Sequence, residues 1–287
     1  MDEYKLNNGK TIPSLAYGTW LIDNKIADKC VLMALEAGYR HIDTAQAYGN
    51  EKGVGKGMRD SGLKREDIYL TTKVKAEYKT YNRAKKSIDA SLKRLGVNYI
   101  DLILIHCPQP WILFRSKRRF FKENIQVWKT LEDAYKEGKV KAIGVSNFLI
   151  DDLENILNNC EIKPMVNQIL CHIGNTPIDV IKFCQENDIV VESYSPIAHG
   201  AALNDERIAK MAEKYHVSVA QLCIKYTLQL ETISIPKASS KEHIEDNAKL
   251  DFTISDEDMI ELIKLNKIDY GKDSLWPVFR NKKWKRN

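Results

Sequence analysis

Short apolar runs separated by stretches of helical periodicity recur eight times along this chain, and that rhythm constrains the fold more than any other feature. The runs lie at 15–18, 41–43, 68–73, 100–106, 142–145, 165–168, 190–193 and 232–235. Between them lie amphipathic segments at 26–37, 83–95, 124–136, 151–157, 178–186 and 206–214. A run such as Leu102-Ile103-Leu104-Ile105 is apolar at every position, as a strand covered on both faces requires. Parallel strands need crossover helices, so eight strand–helix units predict an α/β fold of the (β/α)8 TIM barrel type. Such a barrel needs about 250 residues, and the 287 here leave room for additions. They are an N-terminal β-hairpin over 4–15 turning at Asn8-Gly9, and an extra C-terminal helix at 256–265 followed by a loop with Tyr270, Trp276 and Phe279. No low-complexity linker interrupts the pattern, so residues 1–287 read as a single domain.

Charge narrows the partners. Lysine and arginine (44) exceed aspartate and glutamate (39), for a net charge of +5. The basic residues are interspersed with acids, which suits a small anionic ligand and argues against nucleic acid. The one basic run, Asn281-Lys282-Lys283-Trp284-Lys285-Arg286, reads as a solvated tail. Six cysteines, Cys30, Cys107, Cys160, Cys171, Cys184 and Cys223, include no Cys-x-x-Cys pair, and His41, His172, His199 and His216 lack metal-ligand spacing. The expectations are free buried thiols, no metal, no apolar signal segment, no membrane association and a cytoplasmic location.

The chemistry lies at the ends of the runs. Side chains at the carboxyl ends of successive barrel strands converge. Run two ends in Asp43, with Tyr48 a few residues on; run three ends in Lys73 and run four in His106. A free tyrosine has a pKa near 10 and donates a proton poorly at neutral pH. An adjacent ammonium favours the phenolate, and a carboxylate fixes that ammonium in place. Tyr48, Lys73 and Asp43 then form a tuned general acid, and His106 orients a substrate oxygen. Singly, Asp43 reads equally as a helix cap, Lys73 as a surface cation and His106 as a core histidine. Their arrival together at consecutive strand ends favours a catalytic site.

The remaining ends are polar as well. Ser146, Asn147 and Gln168 offer hydroxyl and amide groups that match a planar carboxamide, and Tyr194 offers a flat face for a ring. Lys237, Ser239 and Ser240 provide a cation and hydroxyls for a phosphate. Carboxamide, ring and phosphate together describe a nicotinamide dinucleotide. The long segment 108–122 carries Trp111, Phe114, Phe120 and Phe121; these aromatics read either as walls of a binding site or as packing over helices.

In these residues the chain resembles the aldo-keto reductases, in particular the prokaryotic-type 2,5-diketogluconate and aldehyde reductase group. The stretch from Gly38 to Glu51, Leu104 to Pro108, Gly144-Val145-Ser146-Asn147-Phe148 and Ile235-Pro236-Lys237 follow that family's motifs in order and spacing, and the likeness extends to at least Asn247. The resemblance implies a (β/α)8 barrel that reduces an aldehyde or ketone to an alcohol by direct hydride transfer from NADPH, with NADH possible. It implies Tyr48 as proton donor, Lys73 and Asp43 as its tuning pair, and His106 as the orienting group. It places Gly18, Thr19, Trp20, Asp43, Ser146, Asn147, Gln168, Tyr194, Ser195, Pro196, Ile197, Lys237, Ser239, Ser240, His243 and Asn247 around the cofactor. Trp20, Tyr48, His106, Cys107, Trp111 and Trp276 fall in the substrate pocket. The implied partner is a small carbonyl compound and the implied state a monomer. Three positions depart from the pattern: His243 stands where many NADPH-preferring members have arginine, Ala238 replaces a frequent serine, and Cys107 replaces a frequent aromatic.

Two patterns are decoys. Gly53-Val54-Gly55-Lys56-Gly57 lacks G-x-G-x-x-G spacing and reads as helix and turn. Tyr48 with Lys52, Tyr81 with Lys85 and Tyr135 with Lys139 each show the Tyr-x-x-x-Lys spacing of short-chain dehydrogenases, which shows how little that spacing means alone. The alternative of a different class is a non-catalytic, nucleotide-sensing barrel, which would be expected to lack one of the four catalytic residues.

Overall fold

The computed structural model of the protein describes residues 2–279; the basic run at 281–286 lies outside them. Eight parallel strands form one sheet in chain order: β3 (Ala16–Gly18), β4 (His41–Asp43), β5 (Tyr69–Val74), β6 (Leu102–Ile105), β7 (Ile143–Ser146), β8 (Val166–Leu170), β9 (Val190–Tyr194) and β10 (Ile233–Ile235). The sheet closes into a barrel. Leu15 bridges Ser234 in parallel, and Ser234 N–H donates to Ser14 O while Gly18 N–H donates to Pro236 O, both at 2.9 Å.

The preceding hairpin pairs β1 (Glu3–Lys5) with β2 (Thr11–Pro13). Its loop is longer than a two-residue Asn-Gly turn: Leu6 N–H donates to Lys10 O, and only Gly9 takes the left-handed conformation, at φ +83°. Asn7 and Asn8 donate to the carbonyls of Pro164 and Lys141, just ahead of β8 and β7. The hairpin thus closes the end of the barrel opposite the strand carboxyl ends.

Helices α1 (Asn24–Glu36), α2 (Glu51–Asp60), α3 (Tyr81–Leu95), α4 (Phe121–Lys136), α5 (Ile150–Leu157), α6 (Ile178–Glu186) and α7 (Glu206–Lys214) cover the outside, and the apolar periodicity predicts all of them but α2. The glycine run sits inside α2 and serves packing. A Cβ on Gly55 would lie 1.9 Å from Leu95 O of α3; on Gly53 and Gly57 it would lie 2.6 and 2.5 Å from backbone carbonyls of α1. Helix α8 (Val219–Gln229) is absent from the amphipathic pattern because much of its surface is covered: Leu222, Cys223, Ile224, Tyr226 and Thr227 are buried. The signal it does carry is a capping box, in which Gln221 N–H donates to Ser218 Oγ and Ser218 N–H to Gln221 Oε1. Helices α9 (Lys241–Asp246) and α10 (Asp256–Lys264) end the helical series. All six cysteines are free. Among the described residues no cluster of His, Cys, Asp or Glu suits a metal, and no helix is long and apolar enough to cross a membrane.

Candidate active site

The carboxyl ends of the strands open into one elongated cavity of about 1460 Å³. That exceeds the roughly 300–1,000 Å³ of common small-ligand pockets. Tyr48 and His106 line one end; Lys237, Ser239, His243 and Asn247 line the other.

At the first end, parallel register brings β4 and β5 side by side, with Asp43 opposite Thr71. The next inward residue of β5 is Lys73, which is fully buried. Its Nζ donates to Asp43 Oδ1 at 2.6 Å and Oδ2 at 2.8 Å, and to Thr44 O at 3.0 Å. Tyr48 follows β4 on a 3₁₀ turn (Gln46–Tyr48), and its Oη lies 3.4 Å from Lys73 Nζ. His106 comes one residue after β6, its backbone N–H held by Val74 O; its ring meets Tyr48 edge-on, with centroids 5.6 Å apart.

The electrostatics correct one expectation. The tyrosine pKa does not fall: burial, and after it the negative charge of Asp43, raise the Tyr48 phenol well above its ordinary 10. Tyr48 is therefore held as the acid, and the lysine it touches favours the phenolate only once the proton has left. Burial first, then the positive charges of Lys73 and Lys79, hold His106 well below its ordinary 6.5, so its ring is neutral. A neutral imidazole and a protonated phenol, both facing a cavity, can hydrogen-bond one oxygen between them.

In the middle of the cavity, Ser146 and Asn147 stand at and just beyond the end of β7, and Gln168 lies on β8. Asn147 adopts φ +63° and spends its amide on neighbours: Nδ2 donates to His106 O and Ser146 Oγ, and Oδ1 accepts from Tyr194 Oη at 2.7 Å. This fixes the Tyr194 ring at the cavity wall. Ser195, Pro196 and Ile197 continue that wall.

At the far end Lys237, Ser239 and His243 are exposed. Two buried tyrosines that sequence reading overlooked hold this segment: Tyr17 Oη donates to Ala238 O at 2.6 Å and Tyr39 Oη to Ile244 O at 3.3 Å. No local motif marks them, because their partners lie more than 200 residues away. Leu21, His199, Leu203 and Lys249 also line the cavity and carry no motif.

Three expected residues stand elsewhere. Thr19 follows the inward Gly18, is fully buried, and donates its hydroxyl to Asp43 O, tying β3 to β4. Cys107 follows the inward His106 and is likewise fully buried away from the cavity, with its carbonyl accepting from Lys79 Nζ at 2.7 Å. Both misplacements follow from alternation, since neighbours of an inward residue do not share its direction. Ser240 caps α9 by accepting from His243 N–H and does not face the cavity.

The aromatic segments divide between the two roles left open for them. Trp111 lies edge-on to His106, with ring centroids 5.1 Å apart, and lines the cavity, while Phe120 is buried. Trp276, from the C-terminal loop, meets Trp20 at 5.3 Å across the cavity mouth. Gly18 and Trp20 line the cavity.

Comparisons with known proteins show the family and the fold. Residues 14–267 match the Aldo/keto reductase family. A glyoxal reductase from Bacillus subtilis is 39% identical over 268 residues, covering 93% of both chains. A crystal structure of an aldo/keto reductase from Brucella melitensis superposes with a TM-score of 0.85 at 39% identity, over 92% of this chain and 99% of that one. The Bombyx mori aldo-keto reductase solved in complex with NADP gives a TM-score of 0.84 at 30% identity, over 98% and 99% of the two chains. Family match, extended similarity and shared barrel agree: the chain belongs to the aldo/keto reductase family.

Proposed function

We propose that this chain is an NAD(P)H-dependent carbonyl reductase that converts an aldehyde or ketone to an alcohol and takes NADPH ahead of NADH. One observation carries the reading: a buried lysine bound to Asp43 and 3.4 Å from the hydroxyl of a protonated tyrosine, at the end of a cavity shared with a neutral histidine. The cavity's residues fit a nicotinamide dinucleotide. Its volume suits a dinucleotide together with a substrate, Gln168 presents its amide to the interior, and Lys237 has no carboxylate partner among the described residues. Tyr194 would pack against the ring, Ser146, Asn147 and Gln168 would surround the carboxamide, and Lys237, Ser239 and His243 would lie beside the phosphates. When bound, the reduced cofactor supplies the hydride.

The protein groups then handle the carbonyl oxygen. His106 and Tyr48 Oη hydrogen-bond it, which polarises the carbonyl and holds its carbon in place. As negative charge develops on that oxygen, the Tyr48 proton moves to it. Lys73 stabilises the phenolate left behind, and Asp43 keeps the ammonium in position. Trp20, Trp111 and Trp276 give the outer pocket an apolar wall, suited to the uncharged part of a substrate. The similarity to a glyoxal reductase makes glyoxal and methylglyoxal the first compounds to test, beside an aromatic aldehyde.

The test follows loss of NADPH absorbance with that panel. Tyr48→Phe should cut turnover by about 10²–10⁴-fold, as for loss of a general acid, while cofactor still binds. Undiminished turnover in that variant would remove Tyr48 from the role. Cofactor binding with no turnover across a wide carbonyl panel would favour the nucleotide-sensing alternative.

A further inference from the structure

We propose that Glu192 is a positioning residue, which fixes the Gln168 amide so that its oxygen faces the nicotinamide carboxamide; this rests on the cofactor reading above. Glu192 lies on β9, points into the barrel and is completely buried. Its Oε2 accepts from Gln168 Nε2 at 2.7 Å, and the same nitrogen donates to Asp43 Oδ2 at 2.9 Å. Both protons of the Gln168 amide are thereby spent beneath the cavity, on carboxyl oxygens contributed by two different strands. Asp43 is paired with Lys73 and acts as an acceptor only, so the amide must turn its nitrogen towards it. Gln168 Oε1 accepts no hydrogen bond from the described residues, and Gln168 lines the cavity. The site thus presents a fixed acceptor, which matches the NH₂ group of a carboxamide and not its oxygen.

Glu192 is otherwise hard to explain. It has no cation of its own, since Lys73 is engaged by Asp43, and the nearest base, His41 Nε2, is 3.7 Å from its Oε1. Burial holds His41 down to about 3, so that imidazole is neutral. Burial, then the charge of Asp43, push Glu192 up to about 8, and Oε1 has no hydrogen-bond partner among the described residues. A buried carboxyl in such surroundings costs stability, and an apolar side chain of similar volume would pack there at least as well. Orienting Gln168 is a use that an apolar residue cannot serve. With Glu192 removed, the amide keeps one anchor and can pivot.

The test is a binding titration, read from protein fluorescence, with two reduced ligands: NADPH and its 3-acetylpyridine analogue, in which a methyl ketone replaces the carboxamide and no N–H donor remains. In Glu192→Leu and Glu192→Thr, neither of which can accept from Gln168 at this distance, NADPH binding should weaken about 5–15-fold, the scale of one hydrogen bond. Binding of the analogue should change less than about 2-fold. Glu192→Gln retains an acceptor and should recover most of the preference for NADPH. Equal losses for both ligands in folded variants, or no loss for either, would overturn the proposal by making Glu192 a structural residue. Wild-type protein that binds neither ligand would overturn the cofactor reading itself, a result distinguishable from a lost preference between the two.

Discussion

The two ends of the cavity are built on different principles. At the proposed catalytic end the Lys73–Asp43 pair is enclosed and multiply held: Lys73 is fully buried and meets three oxygens within 3.0 Å, and Asp43 accepts from both Lys73 and Gln168. At the proposed phosphate end Lys237, Ser239 and His243 stand in solvent, and the hydrogen bonds that matter go to the backbone beneath them, from Tyr17 and Tyr39. In a low-dielectric interior a displaced charge is costly, whereas exposed charges are screened and exchangeable. The same barrel therefore holds the proposed catalytic pair rigidly and the proposed phosphate-binding groups loosely. Substitutions should scale accordingly.

The largest effect is expected at the buried pair. Lys73→Met leaves Asp43 buried without its cation and Tyr48 without its ammonium, so turnover should fall at least about 10²-fold and stability by about 3–5 kcal/mol. Steady-state rates with a thermal melt would check it, and a variant of near-native rate would break the contrast drawn here. The interior should also dominate acid sensitivity. His41 is held at about 3, below its ordinary 6.5, so the unfolded chain binds a proton that the folded chain refuses as pH falls from 6.5 towards 3. That group's contribution is complete above about 6.5 and costs roughly 1.4 kcal/mol for each pH unit below it. Glu192, raised to about 8, works in the opposite sense, losing stability as pH rises from its ordinary 4.5 to 8. His41→Gln should flatten the fall in stability between pH 6.5 and 4 by about one proton's worth, measured by denaturant titration at several pH values. An unchanged slope would mean that His41 is not held neutral.

Smaller effects belong to the exposed end. Lys237→Met should weaken NADPH by about 10-fold and NADH by less, and the difference should shrink as salt is added. His243→Arg, which supplies a planar cation, should tighten NADPH by about 3–10-fold with NADH almost unchanged. Paired titrations of the two cofactors measure both. Changes as large as that of Lys73→Met would show that the phosphate end is less screened than its exposure implies.

Much of this was legible in the chain itself. Strand positions agree within a residue or two, because an apolar run bounded by polar residues has little choice when both its faces are covered. Asp43, Tyr48, Lys73 and His106 could be brought together because parallel strands in a closed barrel all end on one rim. The glycines of α2 could be denied a phosphate role from their spacing, but their actual contacts, Leu95 O foremost, came only from the packing of α2 against α1 and α3.

The local pattern of residues thus determines the eight units, the barrel and the rim on which its polar groups gather, since alternation and periodicity are short-range properties. Three things required the tertiary structure. The direction in which Thr19 and Cys107 turn depends on where each strand stops. The raised phenol of Tyr48 depends on how much water the assembled loops exclude. The partnerships of Gln168 with Asp43 and Glu192, and of Tyr17 with Ala238, join residues 24 to 221 positions apart. Such contacts leave no local trace, because they exist only once the sheet has closed.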